Sequence, residues 1–226
     1  MKWWFVSLLS ALLVFENHAK NLTVSVYYEC LCPHSVDFFK DQLSPGYKVL
    51  KDKVKVDLIP FGKANITKEG DKYIFTCQHQ EAECYGNKVH ACALNLALGD
   101  YGIKFAMCAM ASPDATDDKY LTKCAANNSI SWDEIQKCME SGKGDQLLVD
   151  YGNRTHSLKP KLTGVPTVTF DNEYIETLNR ISKNNLVDIV DFLLVDSQCK
   201  PKNAALGLHS TTLLFMFSLI LVMKAL

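Results

Sequence analysis

Nine cysteines in a chain of 226 residues constrain this fold more than any other feature. Six of them, Cys77, Cys84, Cys92, Cys108, Cys124 and Cys138, fall in one central block. Cys30 and Cys32 stand together before it, and Cys199 follows it. In an oxidising compartment most cysteines pair, and an odd count leaves at least one thiol without an internal partner. A chain built this way is expected to be stapled and to keep a free, reactive cysteine.

The ends of the sequence place it in such a compartment. Met1-Lys2 is followed by an apolar run to Phe15 and a small residue, Ala19. That order describes a secretory signal peptide over residues 1–19, and the apolar run is short for a bilayer span. Asn-x-Ser/Thr sequons at Asn21, Asn65, Asn127 and Asn153 fit a glycosylated luminal or extracellular protein. At the other end, residues 204–226 form a hydrophobic tail. It reads as a GPI signal, with the lipid anchor near Asn203, as a membrane span, or as a tail docked on the protein. Lysine plus arginine number 24 and aspartate plus glutamate 25, with no basic stripe, so nucleic acid is not an expected partner.

Between those segments lie about 180 residues, enough for one domain with an insertion. Leu22–Tyr28 alternates and is rich in β-formers, so it reads as a strand. Pro33 suits a first helical position, Val36, Phe39, Lys40 and Leu43 continue at helical spacing, and Pro45-Gly46 is expected to end that helix. Val54–Pro60 reads as a strand parallel to the first. From about residue 62 to 151, apolar residues recur at helical spacing among the six cysteines, which predicts a helical, disulfide-stapled insertion. The β pattern returns at Val165–Phe170, with Glu173–Ile175 expected to pair back, and Asn185–Leu194 closes as a helix. The resulting class is α/β: β-α-β, a helical insertion, then β-β-α, the element order of a thioredoxin-like fold over residues 20–200.

Cys32 sits where the first strand gives way to a helix. Unpaired N–H groups and the dipole at a helix start favour an anion, so a thiolate there is stabilised and nucleophilic. His34 lies in the same turn and adds positive charge when protonated. A proline opening a strand is usually an edge feature. In a thioredoxin fold, however, the proline at the position of Pro166 is cis and its loop faces the redox cysteine.

The stretch CQHQEAECYGNKVHAC, residues 77–92, closely resembles the signature of the gamma-interferon-inducible lysosomal thiol reductase family, C-Q-H-G-x-x-E-C-x-x-N-x-x-x-x-C. The resemblance extends from Tyr27-Tyr28-Glu29 to Val165-Pro166 and Cys199. It implies a thioredoxin-like domain that reduces disulfides of luminal proteins, often at endolysosomal pH and with no bound cofactor. Two positions depart from the family pattern. Gln80 replaces a glycine and would strain the loop if that glycine holds a positive φ. Ser35 replaces the second cysteine of the usual Cys-x-x-Cys. A zinc site built on Cys77, His79, Cys84 and Cys92 is disfavoured, because the spacings match common zinc pairs poorly.

With Ser35 unable to resolve a mixed disulfide, three resolvers are open: a second substrate cysteine, a small thiol such as glutathione or cysteine, or Cys30. Residues i and i+2 of a strand lie about 6.5–7 Å apart, whereas disulfides favour about 5.5–6 Å, so a Cys30–Cys32 bridge needs a bend. The favoured expectation is that Cys30 joins the other seven cysteines in four structural bridges, leaving Cys32 free. A non-enzymatic, membrane-tethered binding module is the alternative function.

Overall fold

A computed structural model describes residues 22–199, with side chains to residue 196. The expected signal peptide, Asn21, the side chain of Cys199, Asn203 and the hydrophobic tail lie outside the described residues. Residues up to Val187 form one compact unit, and the end of the last helix, from Asp188, belongs to a second.

Strand β1 (Leu22–Tyr28) is the centre of a sheet ordered β2-β1-β5. It runs parallel to β2 (Val54–Pro60), with Leu22 opposite Val54 and Tyr28 opposite Pro60, and antiparallel to β5 (Thr167–Phe170). From Val24 onward every β1 residue is buried, as a central strand requires.

The first crossover starts at Cys32, the N-cap of α1 (Pro33–Phe38), with Pro33 pre-set for a helix start. Pro45-Gly46 does not end this helix, contrary to expectation. The chain passes through a π-helical stretch, Phe39–Leu43, into α2 (Ser44–Leu50). The wider turn closes on a Ser44 N–H bond to the Phe39 carbonyl and accommodates a proline that has no N–H of its own to donate. Gly46 is buried, and a Cβ there would meet Val187 at 3.2 Å, so its role is close packing rather than termination.

The insertion opens with a hairpin that helical periodicity does not reveal, β3 (Asn65–Glu69) and β4 (Lys72–Thr76). Its turn uses Gly70 at φ +60°. Five helices follow: α3 (Gln80–Leu96), α4 (Tyr101–Ala111), α5 (Asp118–Asn127), α6 (Trp132–Glu140) and α7 (Lys143–His156). Cys77–Cys84 ties the loop before α3 to its first turn, Cys92–Cys138 ties α3 to α6, and Cys108–Cys124 ties α4 to α5. Around these bridges Val89, Phe105, Leu121, Ile135 and Leu148 form one core with Ile59 and Phe61 from the end of β2 and the loop after it. Burial of such side chains stabilises by roughly 1.5–3 kcal/mol each.

Glu173–Ile175 makes only a single bridge, Phe170 with Glu173, rather than a strand. Asp171 and Asn172 both take positive φ in a two-residue turn, and helix α8 (Glu176–Cys199) begins before a ladder can grow. That helix starts earlier than its periodicity predicts and kinks at Asn185 (φ −145°, ψ 50°). No described helix is long and apolar enough to cross a membrane.

Candidate active site

Helix α1 presents Cys32 at its N-cap. The Cys32 carbonyl accepts the Val36 N–H at 3.0 Å, and the Cys32 N–H donates to the Glu29 carbonyl at 3.4 Å. The thiol is 7 % exposed, and its Sγ lies 4.0 Å from the Val165 carbonyl oxygen. The Val165-Pro166 bond is cis. Thus the loop before β5 faces the cysteine that caps α1, as the sequence pattern implies. Beside them lies a cleft of ≈ 550 Å³ lined by His34, Asp37, Asp41, Val165, Pro166 and Lys183.

His34 is exposed on the wall of that cleft, whereas Ser35 is fully buried and points inward. The Ser35 hydroxyl accepts the Glu29 N–H at 3.5 Å, so it braces the turn rather than facing a substrate. Lys183, from α8, lines the same cleft, and sequence reasoning missed it. Burial pulls its pKa down from the ordinary lysine value, while a thiolate at Cys32 would pull it back up. An isolated lysine in a helical pattern carries no signal for such a role.

Cys30 contradicts its expected bridge. It is a free thiol at 0 % exposure, pressed against α3. Its N–H donates to Asn87 Oδ1 at 3.0 Å, its Sγ–H donates to the Glu83 carbonyl at 3.6 Å, and Gly86 leaves room for the sulfur. Burial first, and then the Glu83 charge, push the Cys30 thiol well above its usual range. The expectation failed because cysteine parity counts thiols and says nothing of which ones meet. The zinc reading fails on its donors, since Cys77, Cys84 and Cys92 are all half-cystines.

The signature stretch works as scaffold around these cysteines. Asn87 holds the Cys30 backbone, and His90 Nδ1 lies 2.9 Å from the Tyr28 hydroxyl, tying β1 to α3. Gln80 does take a positive φ, +66°. His79 and Glu83 pair within the Cys77–Cys84 loop and approach Glu29. Of the predicted glycosylation sites, Asn65, Asn127 and Asn153 are exposed.

A sequence model of the gamma interferon inducible lysosomal thiol reductase (GILT) family matches residues 23–128. A gamma-interferon-inducible lysosomal thiol reductase-like protein of Anopheles gambiae is 39 % identical over 187 residues, covering 77 % of this chain and 78 % of that one. GILT-like protein 1 of Drosophila melanogaster is 36 % identical over 197 residues, covering 81 % and 79 %. The gamma-interferon-inducible lysosomal thiol reductase of Carassius auratus is 32 % identical over 195 residues, covering 86 % and 76 %. Among solved structures, Chlamydia trachomatis DsbA superimposes with a TM-score of 0.55 at 11 % identity, over 78 % of this chain and 86 % of that one. The thiol-disulfide exchange protein alpha-DsbA2 of Wolbachia pipientis does so with 0.52 at 15 %, over 78 % and 84 %. These two show a thioredoxin-like fold. The chain belongs to the gamma-interferon-inducible lysosomal thiol reductase family and is a thiol-disulfide oxidoreductase.

Proposed function

We propose that the protein acts on disulfide bonds of luminal or extracellular proteins through one nucleophile, Cys32. The observation that carries this reading is the contrast between the two free thiols. Cys32 heads a helix at the Pro166 loop and keeps some exposure, whereas Cys30 is sealed against α3. A thiolate at Cys32 attacks one sulfur of a substrate disulfide. A Cys32–substrate disulfide forms, the substrate bond breaks, and the second substrate sulfur leaves as a thiolate that takes a proton. A small thiol such as glutathione or cysteine then attacks the Cys32 sulfur and frees the remaining substrate thiol. A second small thiol releases Cys32, so two small thiols become one disulfide. A second substrate cysteine in place of the small thiol gives isomerisation. Lys183, and His34 when protonated, supply positive charge to the cleft, Pro166 shapes it, and Ser35 braces the helix start.

The signal-like N-terminus and the exposed sequon asparagines support a secretory route to the lysosomal or endosomal lumen, the cell surface or the medium. Tethering through the C-terminal tail, by a lipid near Asn203 or a membrane span, belongs to the same proposal. The test is reduction of a disulfide-bonded protein with a small thiol as electron source, at about pH 4.5 and 7. Activity should vanish in Cys32→Ala and survive in Cys30→Ser. Loss in both variants would instead implicate a Cys30–Cys32 pair.

The second reading, a tethered binding module without turnover, draws on Ser35 and on the low exposure of Cys32. Failure of Cys32 to react with an alkylating reagent in the folded protein would favour it.

A further inference from the structure

The Cys77–Cys84 loop carries a cluster that the Cys32 chemistry does not use. Glu29, His79 and Glu83 each offer one ligand atom, and these atoms all lie within 4.8 Å of one another. Glu29 and Glu83 are fully buried, and His79 is 34 % exposed. The cluster is held from several sides. The disulfide closes the loop on which His79 Nδ1 meets Glu83 Oε2 at 2.5 Å, and the His79 N–H donates to Glu83 Oε1 at 3.1 Å. The Lys63 N–H donates to Glu29 Oε1 at 2.6 Å. Gly62 clears the space for this carboxylate, since a Cβ there would stand 2.2 Å from Glu29 Cγ.

One atom remains unexplained. Glu29 Oε2 is buried and has no hydrogen-bond partner among the described residues. His79 Nδ1 is 4.0 Å away, too far for a hydrogen bond. Two buried carboxylates face one partly exposed imidazole, with the charge of the exposed Lys63 acting on Glu29 from outside the cluster, and burying a carboxylate oxygen without a partner is costly.

The geometry points to a divalent-cation site, of the zinc class, formed by Glu29 Oε2, His79 Nδ1 and Glu83 Oε2. Nitrogen and carboxylate ligands bind zinc at about 2.0–2.2 Å, which separates ligand atoms by roughly 3.3 Å. The 2.5 Å and 4.0 Å distances bracket that value. On binding, the proton between His79 Nδ1 and Glu83 leaves to solvent, and the cation takes its place and satisfies Glu29 Oε2. The exposed edge of His79 provides the way in. Because the Glu29 carbonyl accepts the Cys32 N–H, the cation braces the turn that carries Cys32. The site does not depend on Cys32 being a nucleophile.

Zinc titration calorimetry on the purified, disulfide-intact protein at about pH 7 tests this. Cys32→Ser serves alongside, so that the Cys32 thiol cannot supply the binding. One zinc per chain is expected in both proteins, with a Tm rise of about 5–10 °C at a hundredfold excess over Kd. Cobalt in place of zinc should give visible d–d bands without a thiolate charge-transfer band. His79→Ala should weaken binding at least about tenfold, as should Glu29→Gln, which keeps the shape and the Lys63 contact. Absence of stoichiometric binding overturns the proposal. So does unchanged affinity in both variants, or a thiolate band that disappears with Cys32→Ser.

Discussion

Replacing Gln80 by glycine should stabilise the protein. Gln80 opens α3 with φ +66°, a left-handed conformation in which a Cβ crowds the following carbonyl. That crowding costs a residue other than glycine about 1–2 kcal/mol. The side chain is exposed, and the backbone N–H that donates to the Cys77 carbonyl at 3.2 Å remains in the variant. Against the gain stands the greater freedom of glycine in the unfolded chain, about 0.4–1 kcal/mol. The net expectation is a stabilisation of about 0.5–1 kcal/mol, or a Tm higher by roughly 1–4 °C in a domain of this size. Differential scanning calorimetry of the two proteins with disulfides intact measures it. A destabilisation of about 0.5 kcal/mol or more would refute the reasoning, because the strain would then be outweighed by contacts of the glutamine side chain.

Gly62→Ala should do the opposite, costing more than about 3 kcal/mol, since Gly62 has φ +60° and its new Cβ would meet Glu29 at 2.2 Å; a denaturant midpoint near the wild-type value would contradict this. Ser35→Cys should supply an internal resolver, so that in a single turnover without small thiol the substrate is released at least about tenfold faster than from the wild type. Quenched-flow or gel analysis of the mixed disulfide reads this, and equal stalling would count against it. Burial holds His90 neutral with its pKa at about 3, so its stabilising share is complete above the unfolded value near 6.5 and shrinks as pH falls. Between pH 7 and 4.5 that loss is roughly 3 kcal/mol, and NMR of the His90 ring should show no titration above about pH 4. Glu29 runs the other way: its raised pKa means that its share is full in acid and is lost as pH rises through the folded value.

Where one periodicity governed a segment, the sequence was legible. Strands Leu22–Tyr28 and Val54–Pro60 appear with their expected bounds, because each is a β-rich run ended by turn residues. Local signals competed elsewhere. Pro45-Gly46 reads as a stop, yet a π-turn and the packing of Gly46 under Val187 carry the helix through it. The β3–β4 hairpin hid because its residues are mostly exposed and its apolar ones, Ile66 and then Tyr73-Ile74-Phe75 in a row, do not alternate with polar ones. At the site, Cys32 and Pro166 were legible because helix-start and strand-start chemistry mark them. The place of Lys183 in the cleft, the bond of Asn87 to Cys30 and the meeting of Glu29 with the His79–Glu83 pair were not, since each is made by tertiary packing across large sequence separations. Cys30 misled because a free thiol and a half-cystine look alike until their surroundings are known.

The central claim is that a single cysteine, Cys32, carries the exchange. Its most direct test is to mix the purified protein with a disulfide-bonded substrate in the absence of small thiol, quench with an alkylating reagent, and map the cross-linked peptide by mass spectrometry. The account predicts a mixed disulfide whose protein-side half is Cys32, with Cys30 recovered as an unmodified thiol after denaturation. A cross-link through Cys30, or a Cys30–Cys32 disulfide formed as the substrate is reduced, would contradict it.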